Sequence, residues 1–135
     1  PDGNGAYLAM MKALEQAALK PEAIDYINAH GTGTKNNDLS EGLALQRIFN
    51  RVPHCSSTKS YTGHTLGAAG AIEAVISILS IQNNCIFPNL NHSAKMNELH
   101  FIPVQDLIQN ISISHILSNS FGFGGNNSSL IFSRY

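Results

Sequence analysis

The sequence predicts an α/β fold, a mixed sheet flanked by helices, and three observations carry that prediction. Short apolar runs alternate with segments of helical periodicity through the first two-thirds of the chain. Each of these runs hands over to a polar, glycine-containing loop. Two apolar runs near the C-terminus are joined by Gly122-Phe123-Gly124-Gly125-Asn126-Asn127, the pattern of an antiparallel pair around a glycine-rich connection. Alternating βα units followed by paired strands give a sheet of mixed direction. At 135 residues one domain, residues 1–135, is expected.

Tyr7, Leu8, Met10, Met11, Leu14, Ala17 and Ala18 recur at helical spacing, and Pro21 stops the pattern after Lys20, so an amphipathic surface helix opens the chain. Residues 24–29 form a short apolar strand that ends in His30-Gly31-Thr32-Gly33-Thr34, a turn too glycine-rich to continue it. Asp38 with Glu41 three residues on has the form of a capping box, with Leu39, Leu43, Leu45, Ile48 and Phe49 as the apolar positions of the helix it begins. Residues 52–57 are a second strand, and Thr58-Lys59-Ser60-Tyr61-Thr62-Gly63-His64 the loop after it. Residues 66–81 are apolar enough to resemble a membrane span, but they are short and hold Gly67, Gly70, Glu73, Ser77 and Ser80; a buried helix is expected. Pro88, several Asn residues and His92 mark a loop, and strands are expected over residues 101–104, 115–121 and 128–132.

Composition removes several functions. Eight basic against nine acidic residues leave a net charge of -1, with no Lys/Arg stripe that could follow a phosphate backbone, so no nucleic acid is expected. Cys55 and Cys85 fit neither a disulfide framework nor zinc spacing, and a reducing, cytoplasmic location is expected. No His-x-x-x-His or Cys-x-x-Cys pattern marks a metal site. The first residue is Pro1, with no initiator Met and no signal-type stretch, so the chain reads as a fragment of something longer.

The candidate chemistry lies in the loops after the strands. Glu73 is the only formally charged residue between Lys59 and Lys95, in a helix otherwise apolar or small. A carboxylate buried there needs a partner, because burying it alone costs several kcal/mol or more, and Lys59 is the natural one. Such a pair can fix the loop, organise a site, or do both. His30 and His64 each adjoin glycine among hydroxyl side chains, and together they can present two N–H donors to one carbonyl oxygen; either alone can equally be a solvent-facing loop histidine. His54, His92, His100 and His115 lack that setting. The Gly122-Phe123-Gly124-Gly125 run is not G-x-G-x-x-G and precedes a strand, so it reads either as a strained hairpin connection or as a mobile loop bordering a site.

Three segments in order, Asn28-Ala29-His30-Gly31-Thr32-Gly33-Thr34, the run from Ser57-Thr58-Lys59 through Gly63-His64 to Ile72-Glu73, and Asn119-Ser120-Phe121-Gly122-Phe123-Gly124-Gly125, resemble the C-terminal signatures of the β-ketoacyl-acyl carrier protein synthases. The resemblance implies a thiolase-like fold of two similar halves, of which this chain is the second. It further implies that His30 and His64 hold the malonyl thioester carbonyl during decarboxylation, that Lys59 organises the site with Glu73, that Thr32 and Thr34 bind the phosphopantetheine arm, and that the Phe123 backbone N–H joins the oxyanion hole. The implied reaction is decarboxylative condensation of malonyl carrier thioester with an acyl-enzyme, in fatty-acid or polyketide assembly. No resident cofactor is implied, since phosphopantetheine arrives on the carrier. The implied partners are acyl carrier protein, the N-terminal half with its nucleophilic cysteine, and a second copy in a homodimer; no membrane is implied. The isolated chain is then expected to be inactive and to self-associate through an uncovered apolar junction. A chain-length-factor-type partner subunit without the cysteine is the alternative, and a stand-alone carrier-binding module a third reading. Lys35, Asn37 and Asn126 replace the proline, glycine and threonine usual in the family's motifs, although Asn37 can keep a left-handed turn.

Overall fold

The computed structural model describes residues 2–135 and, at Phe123, the backbone alone. Pro1, on which the fragment reading leans, and the Phe123 ring lie outside the described part. Helices α1 (Asn4–Gln16), α2 (Lys35–Ile48), α3 (Lys59–Thr62) and α4 (Ala69–Asn83) alternate with strands β1 (Tyr26–Asn28) and β2 (His54–Ser56) before the strands β3 (Cys85–Ile86), β4 (Ile108–Gln109), β5 (His115–Phe121) and β6 (Asn127–Ser133). The main sheet has the order β2-β1-β5-β6: β1 runs parallel to β2 and β5, while β5 and β6 pair antiparallel, and β3 and β4 form a small separate ladder.

Strand periodicity of two divides the core into two layers. Ile27, Cys55 and Leu117 face α1 and α2, whose Ala6, Met10, Ala13, Leu14, Ala44 and Leu45 complete one cluster. Tyr26 and Ile116, one residue away on the same strands, face the other way and join Ile81, Ile86 and Ile113 on the α4 side. The expected mixed sheet between helices is therefore present, and the carboxyl ends of the parallel strands β1, β2 and β5 open on one edge, where open α/β sheets place their sites.

Four local expectations are corrected. The second helix begins at Lys35 with Thr34 before it, so Asp38 lies in its first turn and Glu41 inside it; Asp38 Oδ1 instead accepts the Gly33 N–H at 3.2 Å. The expected loop after β2 contains the short helix α3. Residues 101–104 form no strand; the ladder partner of Ile86 is Ile108. The long apolar helix is buried on one face only: Ala69, Glu73, Ser77, Ser80 and Ile81 are covered, whereas Val75, Ile78 and Leu79 are 57%, 43% and 42% exposed. By length and composition Leu66–Asn83 is a helix that could cross a membrane, yet Glu73, Ser77 and Ser80 lie on its buried side with Ala69 and Ile81, while several of its large apolar residues face outward.

Candidate active site

Two residues past the end of β1, the chain must bend sharply to put His30 at the sheet edge. Gly31 makes the bend with φ 38, and a Cβ there would lie 2.5 Å from the Ser57 Cβ, so glycine is required by both conformation and space. The Ser57 hydroxyl, just past β2, donates to the Gly31 carbonyl at 2.9 Å and ties the two loops together. After α3, Gly63 with φ 72 turns the chain so that His64 meets His30, their ring centroids 5.5 Å apart and their planes at 86°. Phe121, from the end of β5, packs its ring 5.8 Å from His30.

The two imidazoles are in different settings. Leu66, in a left-handed conformation with φ 53, donates its backbone N–H to His64 Nδ1 at 3.2 Å. Because Nδ1 accepts, the proton of a neutral His64 sits on Nε2, which becomes a donor. A leucine at positive φ is strained, and the strain here sits at the residue that fixes the tautomer. His30 is buried, and its Nδ1 has no protein partner. Burial, with the nearby Lys59 charge and His64 adding to it, lowers the His30 pKa to about 4. His30 is thus neutral near pH 7, where one ring nitrogen carries a proton to donate.

Lys59 and Glu73 meet as expected: Nζ donates to Glu73 Oε1 in a buried ion pair. The other carboxylate oxygen accepts the hydroxyl of Ser120, near the end of β5, at 3.1 Å. Asn28, the last residue of β1, donates to the Glu73 carbonyl and to Ser77 Oγ, each at 3.2 Å. Thr32 and Thr34 are hydrogen-bonded to each other at 3.0 Å on the exposed side of the loop. A cleft of about 590 Å³ borders Thr32, Lys35, Ser57, Lys59 and His64; His30 is not among its walls. The Phe123 backbone lies in a short turn between Gly122 and Gly125, where Gly124 and Gly125 have φ 80 and 84.

Sequence reading missed four members of this arrangement. Asn28, Ser120 and Phe121 carry no separate signal beyond their place in the motifs. Glu41 does: with Ala44, Leu45 and Ile48 it occupies one helical stripe, and a carboxylate on an apolar stripe marks a buried acceptor.

Two loop histidines, one buried and one oriented by a backbone N–H, lie beside a buried Lys–Glu pair at the carboxyl edge of a mixed sheet. The family described as Beta-ketoacyl synthase, C-terminal domain, covers residues 1–93. This chain belongs to that family. Over 139 residues it is 43% identical to 3-oxoacyl-(acyl-carrier-protein) synthase 2 of Coxiella burnetii, covering 99% of this chain and 33% of that protein. Among solved structures, the ishigamide ketosynthase/chain length factor superposes with a TM-score of 0.92 at 34% identity, over 100% of this chain and 34% of that one. The ketosynthase of Xenorhabdus doucetiae, solved in complex with its chain length factor, gives 0.90 at 42% identity, over 100% and 34%. The fold is therefore thiolase-like, and this β-ketoacyl synthase domain spans about a third of the length of the curated relatives it matches.

Proposed function

We propose that this chain, as one domain over residues 1–135, is the malonyl-activating half of a condensing enzyme of fatty-acid or polyketide assembly. The observation that carries the reading is the facing pair His30 and His64, at 5.5 Å between ring centroids, with His30 kept neutral at physiological pH and the proton of His64 placed on Nε2. When malonyl thioester loses carbon dioxide, the electron pair of the broken C–C bond moves into the thioester carbonyl, whose oxygen becomes an enolate. Two neutral N–H donors aimed at that oxygen stabilise charge only as it develops, and each such donor is typically worth about 10²–10³ in rate. The enolate carbon then attacks the acyl thioester on a cysteine of an N-terminal half, the thiolate leaves, and a β-ketoacyl thioester remains on the carrier.

Lys59 with Glu73 orders the loop between β2 and His64, Thr32 and Thr34 bind the phosphopantetheine arm, and the Phe123 N–H contributes to the hole that receives the acyl carbonyl. Phosphopantetheine enters with the carrier protein and no resident cofactor is assigned. The exposed Val75, Ile78 and Leu79 on α4 support an N-terminal half that covers them. A dimer of the complete enzyme and a cytoplasmic location belong to the same proposal.

Two of the similar structures are named with a chain length factor, so a partner subunit lacking the cysteine is the second reading. A single assay separates the two. The complete protein, given acyl and malonyl carrier thioesters, should release carbon dioxide and form β-ketoacyl thioester. Failure to take up an acyl group, with activity appearing only on mixing with a separate ketosynthase, would establish the partner reading instead.

A further inference from the structure

The reaction as drawn leaves one buried charge unused. Glu41 is 3% exposed inside α2, and its carboxylate lies under the His30 turn. Oε1 accepts the His30 backbone N–H at 3.0 Å and Asn119 Nδ2 at 3.0 Å, while Oε2 accepts the Gly31 N–H at 2.9 Å. Burial pushes its pKa up and these three bonds pull it back. No salt bridge to Glu41 is found among the described residues. Its charge is therefore held by N–H donors, two of them belonging to the turn that aims His30.

Both oxygens are needed. A carboxylate accepts at each oxygen, whereas an amide accepts at one and donates at the other, so a glutamine here would point N–H groups at a backbone N–H whichever way it lay. Asn119 is fixed in turn: its Oδ1 accepts the Ser129 hydroxyl at 2.8 Å, which leaves Nδ2 facing Glu41. The next residue, Ser120, points to the opposite face of β5 and reaches Glu73. Adjacent residues of one strand thus connect to two buried carboxylates, one under His30 and the other paired with Lys59.

We infer that Glu41 is a positioning residue for His30: it holds the His30–Gly31 turn so that the imidazole faces His64, and Asn119 orients the carboxylate and joins it to β5. The inference deepens the condensing reading and leans on it for the activity measurement only.

The test is Glu41→Gln in the complete enzyme, with two rates and one structure measured. Malonyl decarboxylation should fall at least about tenfold, the scale of one lost buried hydrogen bond, while acyl transfer to the nucleophile, which does not use His30, stays within about threefold. A crystal structure of the variant should place the His30 ring farther from His64 than the native 5.5 Å. Equal loss in both rates, or an unmoved His30, overturns the inference. If Glu41→Gln does not fold, Asn119→Ala takes its place: it removes one hydrogen bond to the carboxylate, and a selective loss of about tenfold in decarboxylation is expected. The geometric measurement needs no turnover: a displaced His30 in a protein that decarboxylates nothing would uphold the positioning role and refute the condensing reading.

Discussion

Helices α1 and α4 pack on opposite faces of the same sheet and obey opposite rules. In α1 the buried positions are Ala6, Met10, Ala13 and Leu14, and Lys12, Glu15 and Gln16 face water together with the apolar Leu8 and Met11, so every polar residue of its last two turns stays outside as hydrophobic periodicity requires of a surface helix. In α4 the buried positions include Glu73, Ser77 and Ser80, and Val75, Ile78 and Leu79 are exposed. The first helix closes a core. The second carries the polar groups of a site inward and offers its apolar side to something else, so its composition reports two interfaces at once.

The comparison breaks most readily at Glu73. Glu73→Ala or Lys59→Ala strands a buried charge and should each cost roughly 3–5 kcal/mol, whereas Lys12→Ala, an exposed charge on α1, should stay within about 0.5 kcal/mol. Removing both partners should cost less than the sum of the singles, read by denaturant unfolding of the four proteins in a double-mutant cycle. Additive losses would mean that the pair contributes nothing as a pair. Glu73→Gln that folds but turns over slowly would add a role in the site.

A smaller effect separates the site edge from the α1 face by pH. The folded His30 pKa of about 4 lies below its ordinary value of 6.5, so between those limits the unfolded chain binds a proton that the folded chain refuses. Stability from this source is complete above pH 6.5 and declines as pH falls toward 4. Glu41, whose pKa is raised, contributes in the opposite sense and is common to both proteins compared. Unfolding at pH 7 and pH 5 should show a smaller acid loss for His30→Gln than for the native chain. An identical loss would contradict a buried neutral His30.

The smallest stability effect should come from the exposed apolar side of α4. Val75→Ser, or Leu79→Ser, in the 135-residue chain should change unfolding free energy by no more than about 0.5 kcal/mol while reducing self-association measured by sedimentation. A stability loss of the size seen for core residues would mean that this face is covered within the chain itself.

Much of this was legible in the sequence, and the failures follow from physics. The strand ends at Asn28, Ser56 and Phe121 were placed within about two residues because glycine-rich turns and hydroxyl runs cannot continue a strand. The Lys59–Glu73 contact followed from one charge in an apolar stretch. The start of α2 was misread because Asp38 and Glu41 have the spacing of a capping box, yet each answers to a tertiary donor: Gly33 for one, His30, Gly31 and Asn119 for the other. Residues 101–104 have strand composition and lie beside the edge strand β2, where Val104 donates its N–H to the Cys55 carbonyl at 2.8 Å, but Pro103 has no N–H with which to extend a ladder. The face that α4 buries was not readable from its periodicity, since the polar stripe Glu73, Ser77 and Ser80 has the pattern of a solvent side, and contacts with Asn28, Lys59 and Ser120 turn it inward.

The most direct test of the account concerns the two histidines acting as neutral N–H donors to one oxygen. In the complete enzyme, His30→Ala and His64→Ala should each slow malonyl decarboxylation by about 10²–10³, the usual loss for one oxyanion donor, while acyl transfer to the cysteine continues. Carbon dioxide release and acyl-enzyme formation, followed separately on the same preparations, decide it: selective loss of release in both variants is the predicted result, and a normal rate of release in either would remove that histidine from the mechanism.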